Sequence, residues 1–342
     1  MKNLNIDQKY IPVIATTLLA LVLYVIASIC FPGFCSLSVL VNFFTDNAFL
    51  GISAVGMTFV ILSGGIDLSV GSVIAFTGVF TAFLVEKMHF HPLVVIPLAL
   101  LIGSTFGLTM GSIIHYFNAP PFIVTLAGMF FARGISQIIS LESISITHPF
   151  FEKFVSFGIP LGNDVTFPAI AIIFLVVFTL GIYIAHFTKF GRNIYAMGGN
   201  AHSAVLLGVP LAQTKILVYT MNGFFAALAG VVYTMYTSAG YGLAGVGFEL
   251  DAISSVVIGG TLLTGGVGYV AGTLIGVLIQ GMIQTIITFQ GTLSSHWTRI
   301  FIGLLLLTFI LLQRFLSNTK KTENLVKVIN NKETPQEQPL TL

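Results

Sequence analysis

Long apolar runs alternate with short polar or glycine-rich breaks along almost the whole chain. A helix needs about 20 mostly apolar residues to cross the hydrocarbon core of a bilayer. Runs near that length predict ten crossings, near 11–30, 47–63, 70–86, 93–116, 121–140, 167–187, 215–236, 251–264, 268–288 and 297–316. The eighth is short, and the second is interrupted by Gly51 and Gly56. Residues 37–47 fit a short extra or re-entrant helix. The first run follows Lys2 and Lys9 and exceeds the roughly 7–15 apolar residues of a signal-peptide core. No small-x-small site precedes Phe31-Pro32-Gly33, so a retained first transmembrane helix is expected.

Composition agrees with this pattern. Of 342 residues, 56% are hydrophobic and 8% charged, against about 25% charged in an ordinary soluble domain. So few charges cannot cover a water-exposed surface, so most of the surface must face lipid. The net charge of +2 gives no reason to expect nucleic acid. The position of the charges says more than their sum. Lys2 and Lys9 precede the first run, Lys189, Arg192 and Lys215 flank the loop between runs six and seven, and Arg314, Lys320 and Lys321 follow the last. Ten crossings put all three groups on one side, which the positive-inside rule makes cytoplasmic. The opposite side receives the loop 142–166, with Glu142, Glu152 and Asp164 against Lys153, and the glycine-rich loop 238–250. The expected organisation is an all-α polytopic membrane protein: a cytoplasmic segment 1–10, a transmembrane domain 11–316 and a polar, disordered cytoplasmic tail 317–342. Trp297, the sole tryptophan, opens the last run at an expected membrane interface.

One internal echo is visible. Val60 to Gly65 leads into Asp67-Leu68-Ser69-Val70-Gly71, and Val256 to Gly260 leads into Leu262 to Gly268. Each couples a β-branched run to a glycine pair, a turn and a glycine-containing helix start, as a parallel repeat would. The pairs Gly64-Gly65, Gly259-Gly260 and Gly265-Gly266 fall at expected helix ends, where glycine supplies φ > 0 or lets backbones approach. Asp67 and Ser69 suit N-capping of the next helix. Two readings stay open: a tight helix–turn–helix, or a broken helix lining a pathway. Arg133 lies inside the fifth run, where a charge must face a cavity or a partner; it can contact substrate or bridge helices through carbonyl groups. Asp46 and Asp251 lie near helix ends, where capping explains them.

The loop 188–210 reads Lys189-Phe190-Gly191-Arg192, then Gly198-Gly199-Asn200, then Ala204 to Gly208. A short helix from about 201 to 207 is expected, started by Asn200 or Ser203 and ended by Gly208-Val209-Pro210. It rests on lipid or docks a cytosolic partner. Cys30 and Cys35 are read as two small apolar residues, with a disulfide possible only on an oxidising side. His89 and His91 supply two ligands where a metal site needs more. There is no G-x-x-x-x-G-K-[ST], so no P-loop for ATP, and no nucleophile motif. No run centre carries the carboxylate cluster that ion-coupled carriers need.

Gly64-Gly65-Ile66-Asp67-Leu68-Ser69-Val70-Gly71 resembles the signature of ribose/xylose/arabinose-type sugar permeases of bacterial ABC importers. Phe190-Gly191-Arg192 with Gly198-Gly199-Asn200 resembles their cytoplasmic coupling loop, Glu249 to Gly268 a third block, and Pro121 to Leu126 a fourth. The likeness spans about 12–316, and Asp46 to Gly51 with Gly291 to Ser295 resembles galactofuranose-importing members. The resemblance implies a type II importer bundle in the bacterial inner membrane and a monosaccharide, galactofuranose, as cargo. A periplasmic binding protein would deliver the sugar, and a second, different permease chain would complete the pathway. Cytosolic ATPase subunits would bind ATP and Mg and dock on Phe190, Gly191, Arg192, Gly198, Gly199, Asn200, Ala204 and Gly208. No cofactor is expected on this chain. Asp67, Thr125 and Arg133 are the pathway candidates, and the six paired glycines serve gating or packing. An ion-coupled secondary sugar transporter is the alternative.

Overall fold

The computed structural model describes residues 11–162, 165–294 and 296–313. Segments 1–10 and 317–342, and the charges Lys2, Lys9, Asp164, Arg314, Lys320 and Lys321, lie outside the described residues. Helices dominate. In chain order they are α1 Ile11–Cys30, α2 Leu37–Asp46, α3 Ala48–Leu62, α4 Val70–Ala82, α5 Pro92–Tyr116, α6 Pro121–Ile139, α7 Pro149–Ser156, α8 Ala169–Phe187, α9 Lys189–Gly199, α10 Ala201–Leu206, α11 Leu211–Thr237, α12 Phe248–Ile258, α13 Val270–Gln290 and α14 His296–Gln313. A π-helical turn, Phe83–Lys87, prolongs α4.

Local sequence explains many of the starts. Pro92 and Pro149 occupy the first positions of α5 and α7, where a missing N–H costs nothing. His91 Nδ1 accepts from Leu93 N–H at 3.2 Å and His148 Nδ1 from Phe150 N–H at 3.1 Å, so the histidines act as caps. Thr188 caps α9 through Gly191 N–H, and Asn200 caps α10 through Ser203 N–H.

The core is built around α11, which packs along α5, α3 and α4. Every residue of α3 except Phe49 is buried, whereas little of α1 and α14 is buried, as suits helices at the rim. Gly103, Gly107 and Gly111 form a stripe on α5 that admits α11: a Cβ on Gly103 would meet Ala227 and the Gly223 carbonyl, and one on Gly107 the Tyr219 carbonyl. Small residues let helices approach in lipid, where no hydrophobic effect draws them together.

The spans differ from the predicted ten. Among the described residues, eight helices are long and apolar enough to cross a membrane, and α2 with α3, bent by 52°, makes a ninth. The predicted crossing at 251–264 is instead α12, of 11 residues, about 16 Å at 1.5 Å per residue against a hydrocarbon core of ~30 Å. Gly260, at φ +92°, ends it, and the chain continues as irregular backbone to α13.

The internal echo is structural. After α3, Gly64 sits at φ +82° and Gly65 N–H donates to Val60 carbonyl at 3.0 Å. After α12, Gly260 takes the same conformation and Thr261 N–H donates to Val256 carbonyl at 3.1 Å. Both helices thus close with the same left-handed motif. These turns lie towards one end of the bundle, the glycine end, where α8 stops and α11 begins. The opposite, strand end carries two short antiparallel pairs. There β1 (Ile144–Ser145) pairs with β4 (Ala239–Gly240), and β2 (Gly158–Gly162) with β3 (Val165–Pro168).

Candidate functional site

At the glycine end three segments meet through their backbones. Gly266 N–H donates to the Leu62 carbonyl at 2.9 Å. A Cβ on Gly198 would collide with that carbonyl and with Gly266 N, and one on Gly265 would come within 2.8 Å of Gly64 N. The end of α3, the end of α9 and the loop 262–268 are therefore interlocked with almost no side chain between them. Gly64, Gly198, Gly265 and Gly266 belong to this junction. Gly65 instead abuts the Tyr219 hydroxyl, Gly259 packs on the backbone of Gly272, and Gly260 lies against Pro12.

The predicted loop 188–210 is two helices. In α9, Gly191, Ile194 and Met197 turn inward and Arg192 stays exposed. Phe190 packs on the core, and the Tyr195 hydroxyl donates to the Gly268 carbonyl at 2.8 Å, tying α9 to the loop before α13. In α10 only Ala204 is buried, at 1%, while Val205, Leu206 and Leu207 are 54%, 77% and 80% exposed. Gly208, at φ +78° with open space around its Cα, turns the chain into α11.

Behind the junction lies Asp67, 1% exposed. Its Oδ1 accepts from Ser69 N–H at 2.8 Å and from Ser69 Oγ at 2.6 Å, and its Oδ2 from Asn222 Nδ2 at 2.7 Å. Asp67 therefore tethers the turn to α11, and neither it nor Ser69 provides the expected side-chain cap on α4. Asn222 stands eleven residues into α11, about 16 Å along its axis, so the turn is recessed within the bundle. Thr125 is buried in α6 with its hydroxyl on the Pro121 carbonyl at 2.9 Å.

Arg133 projects from α6 to the loop before α12. Its Nη1 donates to the carbonyls of Gly242 at 2.9 Å and Ala244 at 2.7 Å. Glu249 lies in the same region beside Gly71, its Oε2 buried without a hydrogen-bond partner among the described residues. Arg133→Met should lower stability by about 2–3 kcal/mol, since charge-assisted bonds contribute about 1.5–3 kcal/mol each. Ser136 Oγ also reaches Gly242 at 3.3 Å, so the Ala244 carbonyl is the group left bare. Thermal unfolding of the purified chain in detergent measures this; an unchanged midpoint would show that the two bonds contribute nothing.

Capping does not explain Asp46 and Asp251. Asp46 ends α2, accepts from the Tyr236 hydroxyl at 3.1 Å and faces a cavity. Asp251 sits in the first turn of α12 facing the same cavity. Cys30 and Cys35 are exposed and free, with Cys35 Sγ donating to Ser28 Oγ. His89 and His91 join no group of three metal-ligating side chains among the described residues. Asn222 and Tyr219 escaped sequence reasoning because they sit in one apolar run. A polar side chain at the centre of such a run was the available signal.

The chain matches a family model described as branched-chain amino acid transport system / permease component over residues 39–310. It is 57% identical over 287 residues to the inner membrane ABC transporter permease protein YjfF of Escherichia coli K12, covering 84% of this chain and 87% of the relative. It is 39% identical to the fructose import permease protein FruG of Bifidobacterium longum, covering 92% of this chain and 93% of the relative. It is 38% identical to the ribose import permease protein RbsC of Escherichia coli K12, covering 85% and 90%. No solved structure matches the chain. With the family model spanning most of its length and relatives of this identity aligned nearly end to end, the chain belongs to this family of multi-pass ABC transporter permeases.

Proposed function

We propose that this chain forms, with a second and different permease subunit, the pathway of an ABC importer that moves a monosaccharide, galactofuranose, across the bacterial inner membrane. The names of the fructose and ribose relatives support a sugar, and Asp46 to Gly51 with Gly291 to Ser295 supports the finer assignment. The glycine end faces the cytoplasm, in keeping with Lys189, Arg192 and Lys215 around α9 and α11. A periplasmic binding protein delivers sugar to the strand end. A separate cytosolic ATPase, binding ATP and Mg, docks on α10.

The observation that carries this reading is α10 itself. The six-residue α10 and its following residue expose Val205, Leu206 and Leu207 over α9, and α9 is locked into the junction of the α3 end with the loop 262–268. Force on α10 reaches the end of α3 and the loop 262–268. Leu206→Glu should cut co-purification of the ATPase at least tenfold while the permease still inserts and elutes as one species. Undiminished co-purification would remove α10 from the docking surface. In vesicles holding all partners, galactofuranose uptake should require the ATPase. Uptake that survives its omission, or that collapses with an ion gradient while ATP remains, would favour the ion-coupled alternative.

A further inference from the structure

The strand end contains a cavity of about 630 Å³ between the α2–α3 bend, the first turn of α12, the last turns of α13 and the start of α14. Small-molecule sites span about 300–1,000 Å³ and combine apolar walls with a few fixed polar groups. One wall is aromatic. Phe49 stacks on Phe248 with centroids 5.2 Å apart and planes 18° apart, and Tyr236 lies 6.0 Å from Phe49. Asp46, Asp251 and Arg299 line the same cavity. Asp46 is oriented by the Tyr236 hydroxyl. The Asp251 main chain is held by Gln280, whose Nε2 donates to its carbonyl at 3.0 Å. Asp251 and Arg299 line the same cavity and form no direct ion pair among the described residues, so their hydrogen-bonding capacity stays available.

This chemistry suits a particular ligand. Adjacent ring hydroxyls donate to carboxylates and accept from a guanidinium, while the C–H face of a sugar ring packs on an aromatic wall. With Asp46 and Asp251 ionised and His296 neutral, the two carboxylates outweigh the one guanidinium and the lining repels an anion. We propose that this cavity is a binding site for neutral monosaccharides within the permease, and that it rejects sugar acids and sugar phosphates. The proposal rests on the reading of the chain as a sugar permease and deepens it: selection is then not left to the delivering protein alone.

Trp297, the only tryptophan, lies between His296 and Thr298, both of which line the cavity. Its fluorescence, checked by isothermal titration calorimetry of the same samples, is the readout of occupancy in the purified full-length chain. Titration with methyl β-galactofuranoside, ribose and fructose should give a saturable change in the millimolar range for at least one. Galacturonate and galactose 6-phosphate should give at least tenfold weaker responses. Asp251→Asn and Arg299→Gln should each weaken the response at least tenfold, and Ile123→Ala, outside the cavity, should leave it unchanged. A flat signal with all neutral sugars, an equal response to the charged ones, or a response to leucine instead would overturn the proposal. The wild-type comparison of neutral with charged sugars stands even if a variant fails to fold. ATP-driven uptake of a neutral sugar by the full complex with a flat Trp297 signal would remove this site and leave the transport function intact. Absence of any sugar uptake would remove the function itself.

Discussion

Gly198→Val is expected to reduce the yield of folded, monodisperse protein more than tenfold, whereas Gly199→Val, one residue on, leaves it near wild type. The contrast follows from what each new side chain meets. At 198 the Cβ runs into the Leu62 carbonyl and Gly266 N, two backbone groups from different segments that cannot rotate away. At 199 there is nothing within 4 Å. Overpacking a well-filled interior costs about 1–3 kcal/mol even when side chains can shift, and here the obstacle is backbone. The clash would also break the Gly266 to Leu62 hydrogen bond that joins the two turns. Size-exclusion profiles of the two variants decide the matter, and equal behaviour would mean that the junction is not rigid. The two glycines are adjacent in a motif that gives no hint of their inequality.

Asp67→Ala is the second large effect. It strands Ser69 N–H, Ser69 Oγ and Asn222 Nδ2 in a buried region. An unsatisfied buried polar group costs about 1–3 kcal/mol, so a loss of about 3 kcal/mol or more is expected. Asp67→Asn should be far milder. Asn222 Oδ1 has no partner among the described residues, so the Asn222 amide can turn over and accept from the new amide while Ser69 keeps its acceptor. Thermal unfolding of the three proteins in one detergent tests the ordering; if Asp67→Asn proves as damaging as Asp67→Ala, the carboxylate charge is needed for something beyond these bonds.

Much of the architecture is legible in the apolar runs, because a bilayer admits few ways to satisfy a backbone. Nine of the ten predicted segments coincide with helices or helix pairs that qualify as spans. The exception is instructive. The apolar composition of 251–264 continues through Gly259-Gly260, and hydropathy does not register the left-handed residue that ends α12. Local spacing is all a sequence offers for Asp46 and Asp251, and it suggests caps. Their neighbours come from α11, α13 and α14, far away along the chain. The pairing of Asp67 with Asn222 spans 155 positions and could not be found from either residue alone. The glycine pairs were visible as motifs, but only the fold separates those that form the junction from Gly259 and Gly260, which pack elsewhere.

The meeting of Leu62, Gly198 and Gly266 has a mechanical consequence. Contacts between side chains can absorb a displacement by changing rotamer; contacts between backbones cannot. A joint made of carbonyls, amides and bare α-carbons has little slack, so a small tilt of α9 would be passed on to the end of α3 and to the loop 262–268 together.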